Sequence, residues 1–407
     1  MAAWATLLLW LAATTNLASA EDVSAALRQL GDSDLVLLND PVGARPARVL
    51  LATRVAAPVE KVRQLIADPV AIGKAMRSFR RVEVGSKRQH APDESELEVV
   101  WELEVPLRNL KGKLWLRAQE GGVDLTLVEG DFSPGLFHLS AQKEKNGRKD
   151  QKDQADQSVL TIEGFANVRD VNWVTRHMVQ RSPIAEPAIT VAAVYVMLKS
   201  LAQLAESASP ARPSADMAAP EPSSLSGTQT GSAAHAYAPG RRVLAAVRSR
   251  ADGRLARVEV ATHVSAPADQ VIRRTLQPKA FVSLPGWKKI TAASGQPDEC
   301  KDVATLCWNV EANLPAFSLD GTWKIWPRPW RARMVAGDCK GAVMGIDVVP
   351  TKPSGDATLV LSQHPRLDMA GYVARKLIAA EPFLEHGLAL ALTLVEAVSL
   401  APALERD

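Results

Sequence analysis

A stretch of twenty-five residues occurs twice in this chain. ARVLLATRVAAPVEKVRQLIADPVA, residues 47–71, returns 209 positions later as ARVEVATHVSAPADQVIRRTLQPKA, residues 256–280, with eleven identities. Thr53 with Thr262, Pro58 with Pro267, Val62 with Val271 and Pro69 with Pro278 are among them, so the match is structural punctuation and not only alanine bias. Duplication is the economical explanation, and whatever one copy folds into the other must fold into as well. Further along, Trp101 answers Trp308, Gly112 answers Gly321, and Gly130-Asp131 answers Gly337-Asp338. NWVTRHMVQRSPIAEP from Asn172 lies over GYVARKLIAAEPFLEH from Gly371, so the copies share both ends.

The segment between the copies, residues 207–239, is built of Ser, Ala, Pro and Gly with almost no large apolar side chain before Tyr237. It cannot repay its ordering entropy and is expected to be a disordered linker. The 407 residues thus divide into domains at 21–206 and 240–407, each with its own core. Ahead of them, residues 1–20 hold no charged side chain, carry an apolar run from Leu7 to Ala13 and finish Ala18-Ser19-Ala20. That pattern predicts a secretory signal cut before Glu21, with a retained membrane anchor as the alternative. Periplasmic or secreted localisation follows from the first reading. A later apolar stretch, residues 387–401, is about fifteen residues long and contains Glu396. A span needs roughly twenty apolar residues, so a buried core helix is expected there.

Within the first copy, residues 47–55 are β-branched and aliphatic and lead to Pro58, which suits the first turn of a helix. Val59, Val62, Leu65 and Ile66 then form one apolar stripe before Asp68-Pro69 stops it. After a second short helical stretch, Leu97, Val99, Trp101, Leu103 and Val105 alternate with Glu98, Val100, Glu102 and Glu104, an antiparallel strand with one wet face. Strand-like runs follow at 113–117, 123–128, 136–141 and 159–163, and a long apolar helix closes each copy at 184–205 and 383–400. The expected fold class is α+β: two tandem helix-grip domains, each a curved antiparallel sheet wrapped around its C-terminal helix.

Charge names no partner. The net charge is +3 with 23% charged residues, too balanced for nucleic acid. Cys300, Cys307 and Cys339 include no CxxC pair and no His at ligand spacing, which argues against a metal. Cys300 with Cys307 would close the shortest of three possible disulfide loops; unlinked thiols are the alternative.

TRVAAPVEKVRQLIADP from Thr53, the amphipathic segment that follows to Val84, and the terminal helix resemble the START-like, Bet v 1-like (SRPBCC) superfamily, in particular its polyketide cyclase/dehydrase and coenzyme Q-binding branches. THVSAPADQVIRRTLQP from Thr262 resembles the same signature more loosely. The resemblance implies a cavity between sheet and terminal helix, shaped for lipids, quinones, sterols or aromatic polyketides. Pro285-Gly286-Trp287 interrupts the second copy's second helical stretch, so equal binding by both copies is not expected.

The candidate cavity residues are Trp101, Leu103 and Trp115 in the first copy, and Trp308, Trp323 and Met334 in the second. Flat rings on a cavity wall hold a planar apolar ligand, although buried aromatics more often simply fill a core. Trp173, Met178 and Tyr372 lie where the pocket mouth would be. Asp131 and Asp338 in the repeated Gly-Asp suit turn chemistry better than catalysis. The stretch from Trp323 to Trp330 mixes aromatics with Lys324 and Arg328; a Pro-bounded strand turn accounts for it better than transient contact with a membrane surface. No catalytic constellation and no cofactor motif is found. The leading function is an exported carrier of an apolar small molecule or lipid, with protein partners unspecified. One alternative is a cyclase- or dehydratase-like enzyme that moves protons with groups such as Arg117 or His138. The other is an envelope scaffold, marked by continuous packing and no cavity of about 300 Å³ or more.

Overall fold

The computed structural model describes residues 18–39, 47–91, 94–104, 109–144, 157–169, 171, 173–206, 227–238, 242–282, 284–293, 300, 302, 304–314, 317–318, 320–351, 355–367, 369, 372–381 and 383–406. In the first copy the order is α1 (Ala20–Leu30), β1 (Ser33–Leu38), β2 (Val49–Val55), α2 (Val59–Ala67), α3 (Pro69–Ala75), six strands and two helices. Those strands are β3 (Phe79–Ala91), β4 (Glu94–Leu103), β5 (Leu110–Gln119), β6 (Gly122–Gly130), β7 (Gly135–Lys143) and β8 (Ser158–Ala166); the helices are α4 (Trp173–Arg181) and α5 (Ala185–Glu206). Next comes α6 (Thr228–Tyr237). The second copy repeats the order as β9 (Val243–Ser249), β10 (Leu255–Val264), α7 (Ala268–Thr275), α8 (Pro278–Val282), β11 (Trp287–Ala292), β12 (Leu306–Leu314) and a short extra β13 (Phe317–Ser318). It finishes with β14 (Gly321–Pro327), β15 (Trp330–Gly337), β16 (Val343–Pro350), β17 (Ala357–His364), α9 (Tyr372–Ala380) and α10 (Leu384–Glu405).

Each copy is a helix-grip unit, an antiparallel meander closed over one long apolar helix. The pairings run β3-β4-β5-β6-β7-β8-β2-β1 and then, without a break, β9-β10-β17-β16-β15-β14-β12-β11. The join is β1 against β9. Val36 pairs with Ala245, its own counterpart 209 residues on, so a pseudo-two-fold axis passes through this pair and each copy offers the other the same edge. Helices α5 and α10 meet on the inner side of the same sheet, close enough that a Cβ on Gly387 would come within 2.7 Å of the Ala192 carbonyl oxygen. One apolar cluster runs through both copies, from Leu51, Ile162 and Leu198 to Val260, Leu361 and Leu394. The expectation of a separate core for each domain is corrected here: joining the edge strands removes the boundary at which two cores would end.

Strands β1 and β9 are apolar on both faces because the outer face of the seam is covered as well. Val23, Ala26, Leu27 and Leu30 of α1, together with Ala233 and Ala234 of α6, pack there against Leu35, Leu37, Leu244 and Ala246. Ser19 caps α1 in a reciprocal box with Asp22. Helix α6 occupies part of the segment expected to be disordered, which corrects that expectation for residues 228–237; residues 207–226 lie outside the described residues. Small size is what lets α6 pack: a Cβ on Gly231 would come within 2.8 Å of Val349. Thr230 donates to the buried Glu259, and the Gly227 amide donates to Asp347 at 2.8 Å. Residues 1–17, which carry the apolar run of the expected signal, also lie outside the described residues.

Candidate functional site

The first copy holds a cavity of about 150 Å³ between the sheet and α5, roofed by α3. Its walls include Ile72 of α3, Phe79 and Val82 of β3, Val99, Trp101 and Leu103 of β4, Leu114 and Leu116 of β5, and Val194 and Met197 of α5. Among the described residues no lining side chain is titratable, and Thr190 supplies the one hydroxyl, which donates to the Glu186 carbonyl at 3.1 Å. Such a space favours apolar surface over charge. Trp101 is buried, with its ring stacked on Phe132 at 6.2 Å and 23°. It lies directly across from Gly112, where a Cβ would approach the indole to 2.8 Å, so this glycine makes room for the ring.

Strand pairing fixes which positions of the two copies correspond. Gly112 faces Trp101, whereas Gly321 faces Val310 and Trp323 faces Trp308. Val310 therefore stands where Trp101 does, and Trp308 stands at the place of Val99. The expected equivalence of Trp101 and Trp308 is corrected by two residues along one face. Trp323 corresponds to Leu114, not to Trp115. Trp115 points to the outer face, where the Arg88 guanidinium lies 3.9 Å from its ring centre, so it is no cavity residue; the alternation along β5 turns Leu114 and Leu116 inward in its stead.

Where the first copy has space the second has side chains. Phe281 replaces Ile72, Trp287 replaces Phe79, Trp308 replaces Val99, Trp323 replaces Leu114 and Trp330 replaces Val123, by the registers of the two sheets and the repeat. Phe281 packs on Trp287, Trp308 and Trp330 at ring distances of 6.1, 5.5 and 5.6 Å. Trp330 donates its indole N–H to the Thr275 carbonyl at 2.9 Å, placing the aromatic stretch in the β14–β15 hairpin. The remaining space is about 40 Å³, lined among others by Trp323, Met334, Cys339, Gln363 and Glu396. Glu396 stands where the first copy has Met197. Burial pushes its carboxyl up to about 7, while Gln363 and the Trp287 indole donate to it.

Among the solved structures similar to the chain are three that cover it to different extents. The di-domain ARO/CYC StfQ from the steffimycin biosynthetic pathway is 11% identical with a TM-score of 0.25, over 86% of this chain and 98% of that one. BexL, the di-domain ARO/CYC of the BE-7585A pathway, is 9% identical with a TM-score of 0.27, over 86% and 98%. A Thermus thermophilus protein is 17% identical with a TM-score of 0.29, over 39% of this chain and 97% of its own. No family model matches the sequence, and no curated protein matches it.

The other expected site residues fall as follows. Leu103 lines the cavity. Met178 is half-buried against the core and is not among the cavity's lining residues. Trp173 opens α4 and Tyr372 opens α9, but their side chains lie outside the described residues. Cys300 and Cys307 are joined by a disulfide, and Cys339 is buried. The Gly-Asp repeat is a backbone clamp in both copies. Asp131 accepts from the Lys111 amide at 2.8 Å and returns its own N–H to the Lys111 carbonyl at 2.9 Å. Asp338 does the same with the amide and carbonyl of Asp320 at 3.2 and 3.0 Å. His138 sits on the outer face, where its hydrogen bond with Asp124, 2.7 Å, holds the imidazole above its usual range. Arg117 follows Leu116 and faces away from the cavity with Asp124 as its cross-strand neighbour.

A second buried polar group was not legible in the sequence. At the seam, Asp34 accepts from Tyr195 at 2.6 Å, from Lys199 at 3.2 Å and from Thr53. His386 of the second copy stacks on Tyr195 at 6.1 Å and lies 3.3 Å from the Ser249 hydroxyl. Burial pushes its imidazole down to about 4. These residues are far apart in the chain, and only the join of β1 to β9 brings them together.

Proposed function

We propose that the first copy binds a small apolar molecule, or the apolar part of a larger one, and that the second copy is a packed scaffold holding it in shape. The observation that carries this is an apolar cavity with no titratable lining residue among the described residues in one copy, and side chains at the corresponding positions of the other. The volume bears on the ligand's size. About 150 Å³ is the volume of an engineered apolar cavity that takes up benzene, so the enclosed portion is one ring or a short acyl segment rather than a whole quinone or polyketide. The cyclase-like alternative loses support because Arg117 and His138 face away from this space. Membership of the START-like, Bet v 1-like superfamily is part of the proposal and agrees with the helix-grip order of elements.

Export is proposed with it, on the apolar run and the Ala18-Ser19-Ala20 ending, and the Cys300–Cys307 disulfide favours an oxidising compartment. Cleavage before Glu21 would remove Ser19, the cap of α1, so the mass of the secreted form decides whether that cap survives.

Fluorobenzene titrated into the full chain, followed by ¹⁹F NMR, tests the binding reading. Saturable binding that disappears in Ala193→Phe supports it. Absence of binding in the wild type favours the scaffold reading, for which a cavity smaller than about 300 Å³ is the specific observation.

A further inference from the structure

The roof of the cavity is held by a residue of the other copy. Met76 and Phe79 both line the cavity, and between them Arg77 and Ser78 make the turn that carries the chain from α3 into β3. Within the first copy this turn has two ties: the Phe79 amide donates to the Met76 carbonyl at 3.2 Å, and the Glu104 amide to the Ser78 carbonyl at 2.7 Å. The second tie fastens the turn to the end of β4 beside Leu103, another lining residue. The Ser78 amide points elsewhere. It donates to Oε2 of Glu381, 303 residues away, at 3.2 Å. The Ser78 hydroxyl and the Arg77 amide also bond to this carboxylate.

Glu381 lies between α9 and α10 and is 3% exposed. A carboxylate is not buried at such a place without donors, and among the described residues those it has come from the Arg77–Ser78 turn. The repeat puts Ser182 at the corresponding position of the first copy, and a serine offers no carboxylate to the α8–β11 turn. The clasp therefore runs one way, from the packed copy onto the roof of the hollow one. Roof helix α3 is only seven residues long, too short to hold itself in place without tertiary support. Its Gly73 packs so tightly on Val82 that a Cβ there would come within 2.5 Å of the valine, so the position of α3 is tied to that of β3 and of the turn between them.

We propose that Glu381 is a positioning residue for the first copy's cavity, holding the Arg77–Ser78 turn shut and thereby setting how fast an apolar ligand enters and leaves. The inference rests on the binding reading above, with the second copy as the keeper of the gate.

Two measurements on the full chain test it. By ¹⁹F exchange NMR, Glu381→Ala is expected to speed fluorobenzene entry and exit by about tenfold while the dissociation constant changes less than about threefold; Glu381→Gln, which keeps one acceptor oxygen, falls between. In parallel, amide exchange at Ser78, Phe79 and α3 is expected to rise by about tenfold in Glu381→Ala, with β6 to β8 unchanged. Faster amide exchange without any fluorobenzene binding in the wild type sinks the binding reading and leaves the clasp standing. Unchanged exchange of both ligand and amides overturns the clasp. Uniformly faster amide exchange across the first copy also overturns it, since Glu381 would then be a general stabiliser.

Discussion

The two interiors began as one design and now differ in what fills them. In the first copy, Ile72, Phe79, Val99, Leu114 and Met197 surround space; in the second, Phe281, Trp287, Trp308, Trp323 and Glu396 occupy it. Some changes run the other way, Val310 for Trp101 and Ala332 for Leu125, yet the balance leaves about 40 Å³ against about 150 Å³. The same backbone thus serves as container or as solid support according to a few inward positions, because close packing makes each added ring displace a comparable volume of void. Strand order is common to both copies, and the enclosed space is not.

Exchanging residues between the copies tests that difference, and the exchange at α5 has the largest expected effect. Met197→Glu places in the first copy the carboxyl that the second copy tolerates, but without its donors, since Gly164 and Phe79 stand where Gln363 and Trp287 stand. An unpartnered buried carboxyl is expected to lower stability by about 3–5 kcal/mol at pH 8, with most of the loss recovered at pH 4 where the group is neutral. Urea unfolding at the two pH values measures it; a loss equal at both would mean that packing, not charge, sets the effect.

The native Glu396 should show the same sign in weaker form. Its carboxyl titrates at about 7 in the fold against an ordinary 4.5, so its neutral form is favoured and stability declines as pH rises from the unfolded value through the folded one. The full difference is about 3 kcal/mol. His386 acts in the opposite direction: held at about 4 against 6.5, it supports the fold above the unfolded value and withdraws that support as pH falls through the folded one. The two windows overlap from about pH 4.5 to 6.5 and their slopes cancel there, so wild-type stability is expected to be nearly flat across this range and to fall off only outside it. Glu396→Gln should leave the His386 slope alone, so that stability climbs by about 3 kcal/mol between pH 4 and pH 7; a profile as flat as the wild type's would show that the carboxyl is not the group responsible.

Third in size is Leu114→Trp, which gives the first copy the residue of the second. Filling the cavity is expected to weaken fluorobenzene binding by more than about tenfold while changing stability by less than about 2 kcal/mol, since an indole gains contacts as it uses up void. The reciprocal Trp323→Leu should enlarge the space in the second copy, and probe binding there would show that the aromatic filling alone separates the two.

The sequence carried the architecture well and the site only in outline. Repeat, α2, the meander and both long helices were legible because period and punctuation are local signals. Strand β3 was not, since Arg80, Arg81, Lys87 and Arg88 break the alternation on an edge whose charge protects it from pairing further. Helix α6 was hidden by its small residues, which signal flexibility until a surface is present to receive them. Trp101 and Leu103 could be named from alternation along β4, whereas Trp115 was misassigned because one position decides the face of a strand. Glu381 carried no local signal at all: its partner is 303 residues away, and only the join of the sheets gives it meaning.

The smallest expected effect concerns a feature that the copies still share. Asp131 and Asp338 each exchange two backbone hydrogen bonds with the residue that precedes the Gly of the facing strand, Lys111 before Gly112 and Asp320 before Gly321. Gly130 and Gly337 adopt positive φ, 89° and 117°, to bring the carboxylate round to that amide. Replacement by Ala removes an acceptor for one backbone N–H in either copy, so Asp131→Ala and Asp338→Ala should each lower stability by about 1 kcal/mol, and by the same amount within error. Neither should alter fluorobenzene binding, since the clamp lies behind the wall and not in it. A binding defect confined to Asp131→Ala would mean that the clamp positions the cavity wall, and the one element still common to both interiors would then have acquired a role in only one of them.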